Sequence, residues 1–150
     1  MAEFRAETVI ERPVDAVFWY VADLENMPRW LPGALVEQVS GAASEKGAEY
    51  TQRMPGLGGQ AVYRLTVERL ESLERFVYKS VGEDAHAVDL TVEYTFAPTD
   101  DGTWVSVAFV TGRSWLGKLF SPLAFRQRRA GSREAGQVLA RLKTALEAAD

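Results

Sequence analysis

The chain has 150 residues, of which 47% are hydrophobic and 25% are charged, a composition that predicts one globular domain over residues 1–150 and excludes a disordered chain. It contains no cysteine and one histidine, so we expect neither a disulfide framework nor a cysteine-ligated metal. The net charge of -4 argues against a nucleic acid partner, and neither a signal peptide nor a run of roughly 18 apolar residues is present, so we expect a cytoplasmic protein without a membrane span.

The first third of the chain predicts one strand followed by two short helices. Residues 3–11 alternate between apolar and polar side chains, which is typical of a strand with one polar face. Pro13 suits a first helical turn, and apolar residues then recur at helical spacing over residues 14–24. Two prolines end that helix and leave room for one short turn at residues 29–31.

Six further strands are predicted from runs rich in apolar and β-branched residues that are separated by turn residues. They cover approximately residues 34–40, 48–54, 60–70, 75–81, 88–97 and 103–112. Asp100-Asp101-Gly102 predicts a hairpin turn between the last two. Because the connections are short, neighbouring strands should pair antiparallel.

Helical spacing returns over residues 121–149 and predicts the longest helix of the chain. The predicted fold is therefore α+β: a seven-stranded antiparallel sheet, two short helices after the first strand, and one long C-terminal helix. Because strands twist, such a sheet should curve around the single helix that covers its apolar face.

Two parts of the sequence resemble a known family. Residues 17–33 contain a Val-Phe pair, an Ala-Asp pair at the helix end and Pro-x-Trp-x-Pro, and the later runs Gly102–Val107 and Leu116–Leu119 fit the same pattern. Together they resemble the START-like helix-grip (SRPBCC) superfamily, in its polyketide cyclase/dehydrase and lipid-transport group. The resemblance implies a helix-grip fold around a cavity; members include cyclases, dehydratases, hydrolases, ligand carriers and quinone-binding proteins, so function has to be argued from the site.

The inner stripe of the long helix is rich in small residues. Its predicted members follow heptad-like spacing: Ala124, Gly131, Ala135, Val138, Leu142, Ala145 and Ala149. The presence of Gly131 and Gly136 inside the predicted helix requires an explanation, because glycine there costs about 1 kcal/mol of stability relative to alanine. Either the helix approaches the sheet closely there, or the small residues leave an apolar cavity. The resemblance favours the cavity.

Twelve residues are candidates for contact with a ligand in that cavity. They are predicted to project inward from the turn, the strands and the long helix: Trp30, Met54, Tyr63, Leu65, Tyr78, Leu90, Val92, Tyr94, Phe109, Gly131, Ala135 and Val138. The three tyrosines could supply the few polar groups that apolar ligand sites usually carry. Arg64 and Glu68 have the opposite parity and should face outward, whereas a register shift of one residue would bring Arg64 into the cavity.

Three other features are interpreted structurally. His86 lies between two strands, lacks a second histidine with which to form a metal site, and is expected to be a solvated loop residue. Asp23 should cap the turn that follows the first helix. The segment Pro55–Gly59 is not followed by Lys-Ser/Thr and should be a hairpin tip at the cavity mouth.

The residues from Gly102 to Arg133 form a basic segment. They include six basic and no acidic side chains, whereas the remainder of the chain carries eleven basic and twenty-one acidic ones. Apolar residues interleave with Lys118, Arg126, Arg128 and Arg129, which suits an anionic membrane surface or an acidic protein partner. The alternative is that the apolar members pack on the sheet.

The sequence favours binding or transport of a hydrophobic small molecule, such as a lipid, isoprenoid, quinone or polyketide-like compound. It offers no clear acid–base pair, which disfavours catalysis. The alternatives are a polyketide cyclase/dehydrase-type enzyme and a protein-interaction module that uses the basic segment. No cofactor is expected.

Overall fold

The computed structural model of the chain describes residues 3–56, 59–83, 89–111 and 122–148, with the side chains of the last range described from residue 133 onward. The elements in chain order are β1 (Glu3–Ile10), α1 (Val14–Ala22), a 3-10 helix (Leu24–Arg29), β2 (Leu35–Ser40), β3 (Glu49–Gly56), β4 (Gly59–Glu71), β5 (Arg75–Gly82), β6 (Leu90–Thr99), β7 (Gly102–Thr111) and α2 (Pro122–Ala148). The predicted fold class is confirmed, and the predicted strands agree with the observed ones to within about two residues at each end.

All seven strands form one antiparallel sheet in the order β1-β7-β6-β5-β4-β3-β2. From β2 to β7, each strand is therefore hydrogen-bonded to the strand that follows it in the chain. In contrast, β1 pairs with β7 and forms the edge of the sheet opposite β2. At the predicted hairpin, Thr99 pairs with Gly102 and only Asp100 and Asp101 lie between them.

Two predicted connections differ from the structure. The short turn expected at residues 29–31 is a 3-10 helix that already begins at Leu24, because the Asp23 side chain accepts a hydrogen bond from the Glu25 backbone N–H at 3.2 Å and starts it there. This confirms the structural role predicted for Asp23. The expected loop over Pro55–Gly59 is shorter, since β3 continues to Gly56 and β4 starts at Gly59.

The strand register confirms which face of the sheet is internal. Residues directly opposite each other in antiparallel strands share a face, and one internal row runs across five strands through Phe4, Phe109, Val92, Tyr78 and Val67. These side chains are buried or half-buried.

Arg64 and Glu68 are exposed, as predicted. Arg64 pairs with Thr51 and Val81 on the outer face, and Glu68 lies in a β-bulge between Val67 and Arg69. No shift of register brings the Arg64 guanidinium inward.

The inner stripe of α2 differs from the predicted one at its C-terminal end. Ala135, Val138 and Leu142 are buried as expected, but the stripe continues through Leu139 and Leu146, and Ala145 is half-exposed. A strict seven-residue spacing drifts by about 20° per heptad around a straight helix, which explains the shift by one position. Ala124, Gly131 and Ala149 lie outside the residues whose side chains are described.

Gly136 does not mark a close approach of α2 to the sheet. A Cβ atom built at this position would meet no heavy atom within 4 Å. Close packing therefore does not explain this glycine.

The C-terminal end of α2 is fastened to the end of β1 by hydrogen bonds. The Lys143 ammonium donates to the Val9 carbonyl at 2.7 Å, the Glu11 backbone N–H donates to the Glu147 carboxylate at 2.8 Å, and the Arg12 guanidinium donates to the Leu146 carbonyl at 2.8 Å. These contacts hold the helix against the edge of the sheet.

We expect the Glu147→Gln variant to be less stable than the wild type at neutral pH and equally stable in acid. The hydrogen bond from the Glu11 N–H, followed by that from Lys143, holds the pKa of Glu147 below its ordinary value of 4.5. Its stabilising effect is therefore complete above pH 4.5 and is lost as pH falls through the lower pKa of the folded state. Melting temperatures of both proteins measured from pH 7 downward test this. A difference that stays constant with pH would contradict it.

Candidate functional site

A cavity of about 250 Å³ lies between the sheet and α2. Its walls come from β1, β3, β5, β6, β7, the 3-10 helix with the residues after it, and α2. The lining residues are Phe4, Met27, Trp30, Leu31, Gln52, Tyr78, Ser80, Leu90, Val92, Tyr94, Phe109, Glu134 and Val138. Since β1 is the first strand of the sheet order and β3 is the sixth, the sheet must curve for Phe4 and Gln52 to line one cavity.

Seven of the twelve predicted contact residues lie in this lining: Trp30, Tyr78, Leu90, Val92, Tyr94, Phe109 and Val138. Leu65 and Ala135 are instead fully buried in the surrounding core, and Met54 and Tyr63 are half-buried outside the lining. Gly131 lies in the part of α2 whose side chains are not described. Alternation along a strand assigns a residue to the inner face, but it does not tell which part of that face the helix leaves open.

Six lining residues were not predicted. They come from β1, the 3-10 helix and its exit, β3, β5 and α2: Phe4, Met27, Leu31, Gln52, Ser80 and Glu134. A signal for two of them was present, because Gln52 and Ser80 are polar residues at inward positions of their strands, between Tyr50 and Met54 and after Tyr78. A polar residue at an inward position commonly serves a buried site.

Trp30 and Tyr94 are neighbours in the wall. Trp30 is 2% exposed, and its indole N–H can only donate. Burial raises the pKa of Tyr94, and the nearby Trp30 side chain offsets this in part. Tyr94 therefore stays protonated at neutral pH.

Tyr78 is a second buried phenol in the cavity. Burial, and then the proximity of Tyr94, raise its pKa well above the usual value of 10. At neutral pH it is a hydrogen-bond donor and not a base.

Three further polar side chains line the cavity. Gln52 is buried and its amide N–H donates to the Met27 sulfur at 3.2 Å, which leaves its amide oxygen free to accept. Ser80, on β5, is also buried. Glu134 is exposed and is the one charged side chain in the described part of the lining.

The remaining candidates from the sequence lie outside the residues whose side chains the structure describes. His86 and Lys118 lie in the undescribed ranges, and Arg126, Arg128 and Arg129 lie in the part of α2 without described side chains. Contact of the basic segment with a membrane or an acidic protein therefore stays a prediction.

The described residues contain neither a candidate metal site nor a helix that could cross a membrane. No three His, Asp or Glu side chains among them come together in an arrangement that could hold a metal ion. No helix in the described ranges is both long and apolar enough to cross a membrane.

Residues 1–147 match the family described as polyketide cyclase/dehydrase and lipid transport. The chain belongs to this family. The resemblance predicted from the sequence is thereby confirmed. Comparison with curated proteins finds no match.

Solved structures share the fold at low sequence identity. A protein from Thermus thermophilus superimposes with a TM-score of 0.73 at 21% identity, covering 99% of both chains. A protein from Chromobacterium violaceum gives 0.68 at 20% identity, covering 98% of this chain and 99% of that one. The di-domain ARO/CYC protein StfQ from the steffimycin biosynthetic pathway gives 0.73 at 18% identity, covering 98% of this chain and 51% of StfQ.

Proposed function

We propose that the protein binds a hydrophobic small molecule in the cavity between the sheet and α2, and carries or delivers it without altering it. The observation that supports this most directly is the cavity itself, whose described walls are mainly aromatic and aliphatic with a few polar groups. Ligand sites in proteins have this composition. The family, which includes lipid transport, supports the same function.

The dimensions of the cavity favour a compact ligand. Its volume of about 250 Å³ lies just below the usual range of roughly 300–1,000 Å³ for small-molecule sites. Each square ångström of apolar ligand surface removed from water contributes about 25 cal/mol to binding. Phe4, Trp30 and Phe109 supply broad apolar surfaces against which a ring system could pack.

A cyclase/dehydrase-type enzyme is the second candidate, and Tyr78 is the observation that favours it. A phenol that stays protonated could donate to a substrate carbonyl and polarise it. Removal of a proton from carbon would need a base, and Glu134 supplies the one carboxylate in the described lining. Because Glu134 is exposed at the cavity wall, it is less suited to base catalysis than a buried carboxylate would be.

We expect Val138→Phe to weaken binding of the neutral probe 2-ethylnaphthalene at least tenfold, or about 1.4 kcal/mol. Val138 is 5% exposed and lines the cavity from α2, so a larger side chain would occupy the space that the probe needs. Fluorescence titration of the folded variant measures the loss. The matched control is Gln137→Phe, which places the same side chain on the exposed face of the helix.

Unchanged binding by folded Val138→Phe would contradict a ligand site in this cavity. Leu90→Phe adds volume from the opposite wall, on β6, and should have the same effect. If both variants bind normally while Gln137→Phe does not, the site lies elsewhere.

A further inference from the structure

A second pocket lies on the outer side of α2, separate from the ligand cavity. It has a volume of about 380 Å³ and is formed by α2 and by the end of the 3-10 helix with the residues after it. This arginine pocket is lined by Arg29, Pro32, Ala140, Arg141, Thr144 and Ala145. None of these residues lines the ligand cavity. Among the described residues, the lining therefore contains two guanidinium groups and no carboxylate.

Neither guanidinium of the arginine pocket is neutralised by the described part of the chain. Of the ion pairs between described residues, none includes Arg29 or Arg141. Glu25, four residues before Arg29, instead accepts a hydrogen bond from the Gln38 backbone N–H at 3.2 Å. No acidic residue lies three or four positions from Arg141 along α2. Two positive charges in one pocket repel each other, and an anion between them would remove that repulsion.

The Arg29 guanidinium is held in place before any anion binds. Its Cζ atom lies 5.8 Å from the centroid of the Tyr20 ring, which makes a cation–π contact. The Tyr20 ring packs in turn against that of the buried Trp30, with the centroids 5.5 Å apart. A guanidinium that lies over an aromatic ring keeps the N–H groups in its own plane free to donate. Arg29 is therefore positioned without losing its donors.

The dipole of α2 does not explain Arg141. Basic side chains are stabilised near the C-terminus of a helix, but this effect is confined to the last turn. The helix ends at Ala148, about two turns beyond Arg141, and its last turn contains no basic residue. The Arg141 guanidinium therefore remains available to a ligand.

Phosphate is the anion that suits two guanidinium groups. One arginine satisfies a carboxylate, because two of its N–H groups match the two carboxylate oxygens. A phosphate monoester has three acceptor oxygens and a charge of about -1.5 to -2 at neutral pH, so it can bind two arginines at once. The Thr144 hydroxyl does not compete for it, since this group donates to the Ala140 carbonyl at 3.0 Å.

We propose that the arginine pocket binds a phosphate group between the Arg29 and Arg141 guanidiniums. Trp30 and Leu31, which line the ligand cavity, lie between Arg29 and Pro32 in the chain. The cavity and the arginine pocket therefore share two walls, α2 and the residues after the 3-10 helix. A bound phosphate links these walls from outside and stabilises the folded protein. The proposal does not depend on what the cavity binds.

An NMR titration of the backbone amides with inorganic phosphate at constant ionic strength tests this. Phosphate should shift the amides around Arg29 and Arg141 and raise the melting temperature, because a ligand that binds only the folded state stabilises it. We expect Arg29→Gln and Arg141→Gln each to weaken phosphate binding roughly fivefold or more. Both arginines are exposed, so the variants should fold. The matched control is Arg64→Gln, which removes an exposed arginine from the outer face of the sheet and should leave binding unchanged.

The proposal is wrong if phosphate shifts no amide around the arginine pocket, or if Arg64→Gln weakens binding as much as Arg141→Gln does. It is also wrong if acetate, a carboxylate, binds as tightly as phosphate. Vesicles of phosphatidylcholine that contain phosphatidic acid distinguish two sources of the phosphate. Sedimentation with these vesicles that Arg141→Gln abolishes would identify a lipid headgroup, whereas binding of free phosphate without sedimentation would identify a soluble phosphate compound.

Discussion

Alanine at position 102 is expected to destabilise the protein by more than about 3 kcal/mol, a large part of the roughly 5–15 kcal/mol that stabilises an ordinary domain. Gly102 has a φ of +152°, a conformation that favours glycine. A Cβ atom at this position would lie 2.1 Å from the Ile10 carbonyl oxygen and 2.9 Å from the Glu11 Cα. Both are backbone atoms, so no side-chain rotation relieves the clash.

The clash would act where β7 meets the end of β1. Ile10 pairs with Thr103, and the residues just after Ile10 hold the C-terminal end of α2. Movement of this segment would therefore loosen both the β1–β7 pairing and the helix that closes the cavity.

Gly47→Ala provides the control for Gly102→Ala. Gly47 also has a positive φ, of +89°, but a Cβ atom there would meet nothing within 4 Å. Only the backbone cost of about 1–2 kcal/mol should appear. Urea denaturation followed by circular dichroism measures both variants. Equal stabilities would show that backbone conformation alone, and not the contact with Ile10, explains the need for glycine at position 102.

Most of the fold follows from local patterns in the sequence. The alternation of Leu90, Val92, Tyr94 and Phe96 identifies the inner face of β6, and the two-residue connection at Asp100-Asp101 fixes the β6–β7 register. A shift of one residue would expose the whole apolar set, so the pattern leaves little choice of pairing. The antiparallel order of β2 to β7 then follows from their short connections.

The position of the cavity was harder to predict, because it depends on where the helix fails to fill space. Tyr63 and Tyr78 have the same inward parity and lie on neighbouring strands, yet only Tyr78 is in the lining. Leu65 is buried in the core beside Ser80, with which it pairs. The alternation of residues along a strand does not distinguish an inward residue that lines the cavity from one that packs in the core. That difference arises from the placement of α2 over a curved sheet.

The polar members of the lining could have been found by a different criterion. Gln52 and Ser80 are polar at positions where the strand pattern requires apolar residues, and such departures are expected at functional sites. Glu134 could not be found in this way, because acidic residues on a helix are ordinarily exposed. Its place in the lining depends on the rotation of α2 about its axis.

Trp30→Ala is expected to destabilise the protein by about 3–5 kcal/mol and to lower its melting temperature by roughly 10 °C. Trp30 is 2% exposed and is among the largest fully buried side chains of the described residues. The centroid of its ring lies 5.5 Å from that of Tyr20, and its side chain neighbours the Tyr94 hydroxyl. The substitution would remove a cavity wall and a ring contact together.

The control for Trp30→Ala is Trp19→Ala, since Trp19 is 43% exposed and its loss should cost no more than about 1 kcal/mol. Trp30→Phe is the milder change, because phenylalanine keeps an aromatic wall and lacks only the larger indole ring with its N–H. We expect Trp30→Phe to remain folded and to bind 2-ethylnaphthalene more weakly than the wild type, because its smaller ring contacts less of the probe. If Trp30→Ala were no less stable than Trp19→Ala, or if Trp30→Phe bound the probe normally, Trp30 could not be the wall on which both the fold and the site depend.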